Sequence, residues 1–274
     1  MTNSSSKLRN ELQEQALRWA KANSIPHYTS LGQPPTVLFP IAADGSTHGN
    51  FHPDSWQAIR AADVWVSRLA KVHTQARHAL PVEMQAGARE LDSSNSSDAL
   101  LMNCFCFPGA VPRIMKGLAL SDSVGPNALP EFGVKAKLPQ TRNRQDATEL
   151  DMRVGAYIFE AKLTEKDFTS SAIDHVREYI DFDSVFESSA LPVADANFKG
   201  YQLIRNVLAA FHLKASLIVL LDQRRLDLLQ EWWAVHAAIK STDLRLRCGF
   251  RTWQQVASAS PPPLAAYLSD KYGI

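Results

Sequence analysis

Cysteine is scarce: Cys104, Cys106 and Cys248 are the three in a chain of 274 residues, an odd number without zinc-site spacing. That excludes a disulfide-built secreted module and a zinc finger, and it points to a reducing, cytoplasmic setting. Long hydrophobic runs are missing as well. The best, Ala215 to Leu221, falls far short of the roughly 20 residues that cross a bilayer, so no membrane association is expected. Met1 to Lys7 is polar and Ser-rich, without the apolar stretch of a signal peptide. There is no Gly-rich phosphate loop and no Gly-x-Ser-x-Gly turn, so P-loop nucleotide hydrolysis and α/β-hydrolase chemistry lack their motifs. Net charge is nearly absent: 29 basic against 28 acidic residues give +1. Taken alone, that total argues against a nucleic-acid protein.

What is present is an ordinary globular composition, 45% apolar and 21% charged, enough for one large domain or one domain with an appendage. The charge is unevenly placed. Residues 1–100 carry nine basic and nine acidic groups, 101–150 six and four, 151–198 four and ten, and 199–274 ten and five. An acidic centre flanked by basic segments is what a metal site inside a polyanion groove requires, and ordinary surface variation gives the same pattern.

The first hundred residues read as helical and loop-rich. Leu8 to Ala22 is an amphipathic helix with Leu12, Ala16, Trp19 and Ala20 on one stripe, and a loop with Pro26, Pro34, Pro35 and Pro40 follows. Asp54 caps a helix expected to run to about Leu80, Ser93 to Ser97 is a polar break, and Asp98 to Phe107 is a short apolar helix stopped by Pro108. From Phe132 the pattern becomes strands alternating with helices. Strands are expected at 132–138, 150–154, 157–163 and 216–221, with an edge strand at 244–248. Helices are expected at 173–186, 201–213 and 226–239, and a last one after Pro261 to Pro263. The whole reads as α/β, a mixed central β-sheet flanked by helices, with residues 1–82 as an N-terminal helical extension and 83–274 as the main domain.

The informative stretch runs from Thr148 to Leu163. Gly155-Ala156 suits a two-residue turn, which sets Val154 opposite Tyr157, Met152 opposite Phe159, Asp151 opposite Glu160 and Glu149 opposite Lys162. Side chains alternate along a strand, so one face carries Leu150, Met152, Val154, Tyr157, Phe159, Ala161 and Leu163. Glu149, Asp151, Glu160 and Lys162 share the other. Facing carboxylates repel, and a bound divalent cation removes the problem. Hard oxygen ligands at this spacing suit Mg²⁺ or Mn²⁺, with Lys162 placed to serve a water or a phosphate. A plain exposed face with a Glu149–Lys162 ion pair accounts for the same residues.

Leu150-Asp151, then Glu160-Ala161-Lys162 followed by Leu163-Thr164-Glu165, resemble the PD-(D/E)xK restriction-endonuclease-like superfamily. The resemblance covers about residues 83–250 and implies an α-β-β-β-α-β core and a Mg²⁺-dependent phosphodiesterase acting on DNA. It implies Asp151, Glu160 and the Ala161 carbonyl as metal ligands and Lys162 as catalytic. Leu150 stands where the superfamily's name has proline. Members add an acidic residue from the first helix; Glu83, Glu90 and Asp98 are the candidates, with Glu90 favoured. Some branches carry a glutamine on the helix after the lysine strand, which makes Gln202 a further catalytic candidate, with Arg205 and Asn206 near the same helix edge. Nucleases that cut both strands often act as dimers, so a homodimer is in view.

Other features carry less. His48, His52, His73 and His78 have no zinc-type partners and read as surface or core residues, and the cysteines read as core. Lys135, Lys137, Arg142 and Arg144 before the hairpin, and Lys199, Arg205, Lys214, Arg224 and Arg225 after it, are candidate phosphate contacts. Three functions stay open: a metal-dependent DNA endonuclease of restriction or repair type, a catalytically silent nucleic-acid-binding module, and a domain whose acidic helix 174–187 recruits a basic protein.

Overall fold

The computed structural model describes residues 4–30, 35–71, 89–120, 124–125 and 128–274. They form two compact units: residues 1–130 together with 253–274, and residues 131–252. The boundary expected at 82/83 falls outside the described residues, as do Glu83, His73 and His78.

The first unit is mainly helical. It contains α1 (Ser4–Ala22), α2 (Pro53–Ala61), α3 (Ser97–Cys106) and α4 (Ala110–Gly117). Leu8, Leu12, Ala16 and Ala20 of α1 are buried at helical spacing, and Ala16 and Ala20 pack with Val37 and Phe39. Helix α2 has Pro53 at its first position and is capped by His52, whose Nδ1 accepts the Asp54 N–H at 3.1 Å. The helix expected from Asp54 to Leu80 ends early. Ala62 is extended, and among the described residues short turns follow at Asp63–Val66 and Ser67–Ala70. That break lets Trp65 bury its indole and donate Nε1–H to the Pro130 carbonyl at 2.8 Å. The Ser93 to Ser97 segment is not a solvated break. Ser93, Ser94, Ser96 and Ser97 are buried, Ser94 N–H bonds the Val37 carbonyl, and the Ser96 hydroxyl caps α3. Every residue of α3 is buried, Cys104 and Cys106 included.

The second unit is built on a five-stranded mixed sheet. Its strands are β1 (Glu131–Lys135), β2 (Glu149–Val154), β3 (Tyr157–Ala161), β4 (Ser216–Leu221) and β5 (Cys248–Thr252), in the spatial order β5-β4-β3-β2-β1. β1, β2 and β3 are antiparallel neighbours, whereas β3, β4 and β5 run parallel. A continuous apolar run makes β4, as expected of a strand covered on both faces. Helices α5 (Tyr201–His212) and α6 (Leu226–Ala237) share the core with the sheet: Ile204, Val207, Leu208, Trp232 and Val235 join Ile158, Leu217, Val219 and Leu221. The architecture is therefore mixed α/β, a mixed sheet with flanking helices.

Three elements of this unit differ from the sequence pattern. Ile173 to Phe186 is not one helix but two single turns, Ile173–Val176 and Phe182–Val185. Val176, Tyr179, Phe182 and Val185 are buried at three-residue spacing, which imitates a helix. The intervening backbone instead bonds the 139–141 segment, with Ile180 N–H to Pro139 O at 3.2 Å and Thr141 N–H to Glu178 O at 2.8 Å. The strand expected at 244–248 is helix α7 (Thr242–Arg247), capped by the Ser241 hydroxyl and braced by an Arg247–Asp243 ion pair; the strand begins at Cys248. Leu246 is 83% exposed, so the Leu-Arg alternation there marks no buried face. The run expected at 132–138 divides into β1 and a separate strand, Leu138–Gln140. After α7 and β5, the chain returns to the first unit as α8 (Trp253–Ala259) and α9 (Pro262–Tyr272).

Candidate active site

The hairpin forms in the expected register. Gly155 takes φ +57° at the turn, and Val154–Tyr157, Arg153–Ile158 and Met152–Phe159 are the paired residues. Beyond Met152–Phe159 the Asp151 side chain enters the ladder: its Oδ2 accepts the Ala161 N–H at 2.8 Å. This bends the Asp151 carboxylate toward the end of β3, beside Glu160.

Glu160 is 1% exposed. β3 pairs in parallel with β4, setting Ile158 beside Leu217 and Glu160 beside Val219, so the carboxylate shares a face with Leu217, Val219 and Leu221. Helix α5 covers that face through Ile204, Val207 and Leu208. An isolated carboxylate there would cost several kcal/mol by desolvation. Two groups compensate. Lys162 Nζ makes an ion pair with Oε1 at 2.9 Å, and Asn206 of α5 donates Nδ2–H to Oε2 at 2.6 Å. Asn206 is itself held, accepting from Arg205 Nε at 3.1 Å and from Arg205 Nη2 at 2.9 Å, while Arg205 also reaches the Glu149 carbonyl at 3.1 Å. A chain of polar contacts thus ties β2, β3 and α5 together around one carboxylate.

Lys162 is buried too, with its backbone N–H on Leu220 O at 2.8 Å and its ammonium 5.5 Å from the Phe168 ring centroid. Burial disfavours its charge, but Glu160, Glu165 and Asp151 outweigh that, and its pKa is raised above the usual lysine value. The ion pair of Lys162 is with Glu160, two residues earlier on the same strand. Glu149 is exposed and lies opposite Lys135 on β1.

Gln202 and Asn206 are one helical turn apart on α5 and share a face. The Gln202 side-chain oxygen is buried and accepts no hydrogen bond, an orphaned acceptor. Glu90 and Asp98 belong to the first unit. There Lys71 Nζ bonds Glu90 at 3.0 Å and Asp98 at 2.6 Å, and Arg68 bonds Asp98 at 2.8 Å. Burial, with the Asp98 charge adding to it, raises the Glu90 pKa.

Asp222 and Glu165 are buried or partly buried carboxylates near the end of the sheet that sequence reasoning gave no role. Asp222 is fully buried, directly follows β4 at the C-terminal edge of the parallel strands, and pairs with Arg224 at 2.8 Å. That edge is where open α/β sheets bind ligands. Its signal was a carboxylate ending the apolar run 216–221. Glu165 Oε2 accepts the Leu163 N–H at 2.6 Å, and its charge acts on Lys162.

The donor set suits a hard divalent cation. Asp151, Glu160 and the Ala161 carbonyl would offer a cation only oxygen atoms, with no sulfur or imidazole among them, a set that would favour Mg²⁺ or Mn²⁺ over zinc. Among the described residues, no three or more His, Cys, Asp and Glu side chains gather as a self-contained metal site. A cation here would complete its shell with water and substrate oxygens, the habit of Mg²⁺. Also among the described residues, no helix is long and apolar enough to cross a membrane.

A family model described as restriction endonuclease associating with ARP matches residues 27–273. Neither the curated proteins nor the solved structures include a match.

Proposed function

Because the chain belongs to the family of restriction endonucleases associating with ARP, we propose that it is a metal-dependent nuclease hydrolysing DNA phosphodiester bonds. The observation that carries this reading is the Glu160 carboxylate, buried beneath α5 between Lys162 Nζ and Asn206 Nδ2, with Asp151 folded onto the adjacent Ala161 amide. A purely structural strand would place an apolar residue there at lower cost.

On this reading the second unit carries the restriction-endonuclease-like strand order, and Asp151, Glu160 and the Ala161 carbonyl hold Mg²⁺ or Mn²⁺. The cation supplies Lewis acidity toward a phosphate oxygen and a water of lowered pKa. Asn206 fixes the orientation of Glu160, and Arg205 fixes Asn206. Lys162 presents ammonium hydrogens to the phosphate oxygens, where charge develops during hydrolysis. Gln202, with its unsatisfied oxygen on the Asn206 face, orients the attacking water. Glu90 is engaged by Lys71 and is the weaker ligand candidate. By its family's description the enzyme acts in association with ARP, and a homodimer would supply the second centre for cutting both strands. The acidic-helix recruitment reading loses its helix, since residues 173–186 form two single turns.

The test is incubation of the protein with plasmid and linear DNA in Mg²⁺ or Mn²⁺. Metal-dependent cleavage that disappears in Lys162→Ala supports the assignment, and cleavage indifferent to that change sinks it. A silent binding module would bind DNA in a salt-dependent way and cut with neither metal. Mg²⁺ or Mn²⁺ should also raise the melting temperature, as a ligand of the native state must, and Asp151→Ala should remove the rise.

A further inference from the structure

The compact unit of residues 1–130 and 253–274 holds a cavity of about 830 Å³ to which the cleavage reading gives no role. That lies within the range of roughly 300–1,000 Å³ typical of small-molecule sites. Trp19, Tyr28, Phe51, His52, Trp56 and Tyr267 line it. We propose that this cavity receives one unpaired nucleobase of a DNA strand.

The aromatic walls are held in place before any ligand arrives. Trp19 meets Phe39 edge-on at 6.0 Å between centroids and Tyr267 at 5.6 Å, and His52 meets Tyr267 at 5.5 Å. Trp56 donates Nε1–H to the Gly45 carbonyl at 3.1 Å. The buried Lys271 side chain braces Trp19 and Tyr267, its Nζ 4.9 and 5.2 Å from their centroids. Gly49 closes the packing: a Cβ there would stand 2.5 Å from Ile25 Cγ2 and 2.8 Å from Phe39 Cδ1. Rigid rings lose little entropy when a flat ligand stacks on them.

The polar groups narrow the ligand. His52 Nδ1 accepts the Asp54 N–H, so the ring proton sits on Nε2 and is available to donate. Burial lowers the His52 pKa, which disfavours the charged ring. Asp270, whose side chain can accept a hydrogen bond, also lines the cavity. A donor and an acceptor between aromatic faces match the edge of a nucleobase, which offers ring nitrogens or carbonyls beside N–H groups. A hydrocarbon chain would leave both groups unpaired, and an organic cation would face the His52 donor.

The experiment uses the full chain without divalent metal, so its failure and the failure of the nuclease reading are separable. A labelled short single-stranded DNA is titrated beside a strand of equal length and charge whose positions are abasic. The base-bearing strand should bind roughly tenfold tighter and quench tryptophan emission. Tyr28→Ala, at an exposed wall position, and Ala42→Trp, which fills the cavity, should both erase that difference in proteins whose melting temperatures are retained. Equal affinity for the two strands, or a base-dependent difference that survives both variants, overturns the proposal. Quenching by free deoxynucleosides with no advantage for the base-bearing strand overturns it as well.

Discussion

Each unit buries a lysine, and the two are solvated in opposite ways. In the sheet unit Lys162 lies against Glu160 at 2.9 Å, with Glu165 and Asp151 adding their charge, and its pKa is raised. In the helical unit Lys271 is fully buried within rings: Phe39 at 4.6 Å, Trp19 at 4.9 Å, and Tyr267 and Tyr272 at 5.2 Å from the ammonium nitrogen. Its hydrogen bonds go to neutral oxygens, Asn50 Oδ1 at 2.7 Å, Tyr267 Oη at 2.8 Å and Gly49 O at 3.3 Å, and burial pushes its pKa well down. The contrast separates two uses of one side chain. A lysine surrounded by carboxylates is a stored positive charge, the form that the proposed cleavage needs. A lysine surrounded by π-faces and neutral oxygens is a hydrogen-bonding tie that joins α9 to the segment around Gly49 and Asn50.

The largest expected effect is on cleavage. Lys162→Ala and Glu160→Gln should each lower the rate constant by about 10²–10³-fold or more, the scale of losing a preorganised charge-stabilising group. Lys271→Met should lower cleavage by the folded protein far less, acting through the cavity walls that Lys271 braces. Loss of cleavage in a folded Lys271→Met protein would break the distinction. The next effect is on stability in denaturant melts. Lys162→Met leaves Glu160 buried without its counter-charge and should cost about 3–5 kcal/mol. Lys271→Met strands neutral acceptors and should cost about 1–3 kcal/mol. Equal costs would show that the carboxylates contribute nothing specific.

A smaller effect follows in pH. Lys271 has a depressed folded pKa, so the unfolded chain binds more protons and stability rises with pH up toward the ordinary value of 10.5. Melting temperatures below pH 10 should show that slope flattened in Lys271→Met. The smallest concerns His48, whose pKa burial lowers although its Nε2 lies 3.1 Å from Asp92. Its contribution is complete above the ordinary value of 6.5 and is lost as pH falls toward the lower folded value. His48→Gln should reduce the acid-side loss of stability below pH 6.5, measured by thermal melts, and an unchanged acid limb would discount the group.

Much of the sheet unit is legible in its sequence because strand signals there are local. The apolar run 216–221, the turn at Gly155 and the alternation on either side of it all appear as expected. The failures have physical causes. Residues 173–186 place apolar groups at helical intervals, yet their backbone donors find a neighbouring strand first. Residues 244–248 alternate like a strand, but Ser241 and Asp243 make a capped, ion-paired helix more favourable. The near-zero net charge misled in a different way. It sums −6 over residues 151–198 with +2 over 101–150 and +5 over 199–274, so it does not speak against a polyanion partner.

The sequence alone determined that Glu160 and Lys162 share one strand face, since two-residue spacing settles this for any extended backbone. It likewise settled the turn that brings Asp151 alongside. Only the tertiary structure decided that Glu160 would be buried and which groups would answer its charge. Asn206 comes from a helix 46 residues away, and packing, not pattern, sets that helix on the Glu160 face. Lys271 meets Asn50 across 221 residues, and no local periodicity encodes such a contact. Alternation is a property of the backbone. The partner that a buried charge finds is a property of whatever is packed against it.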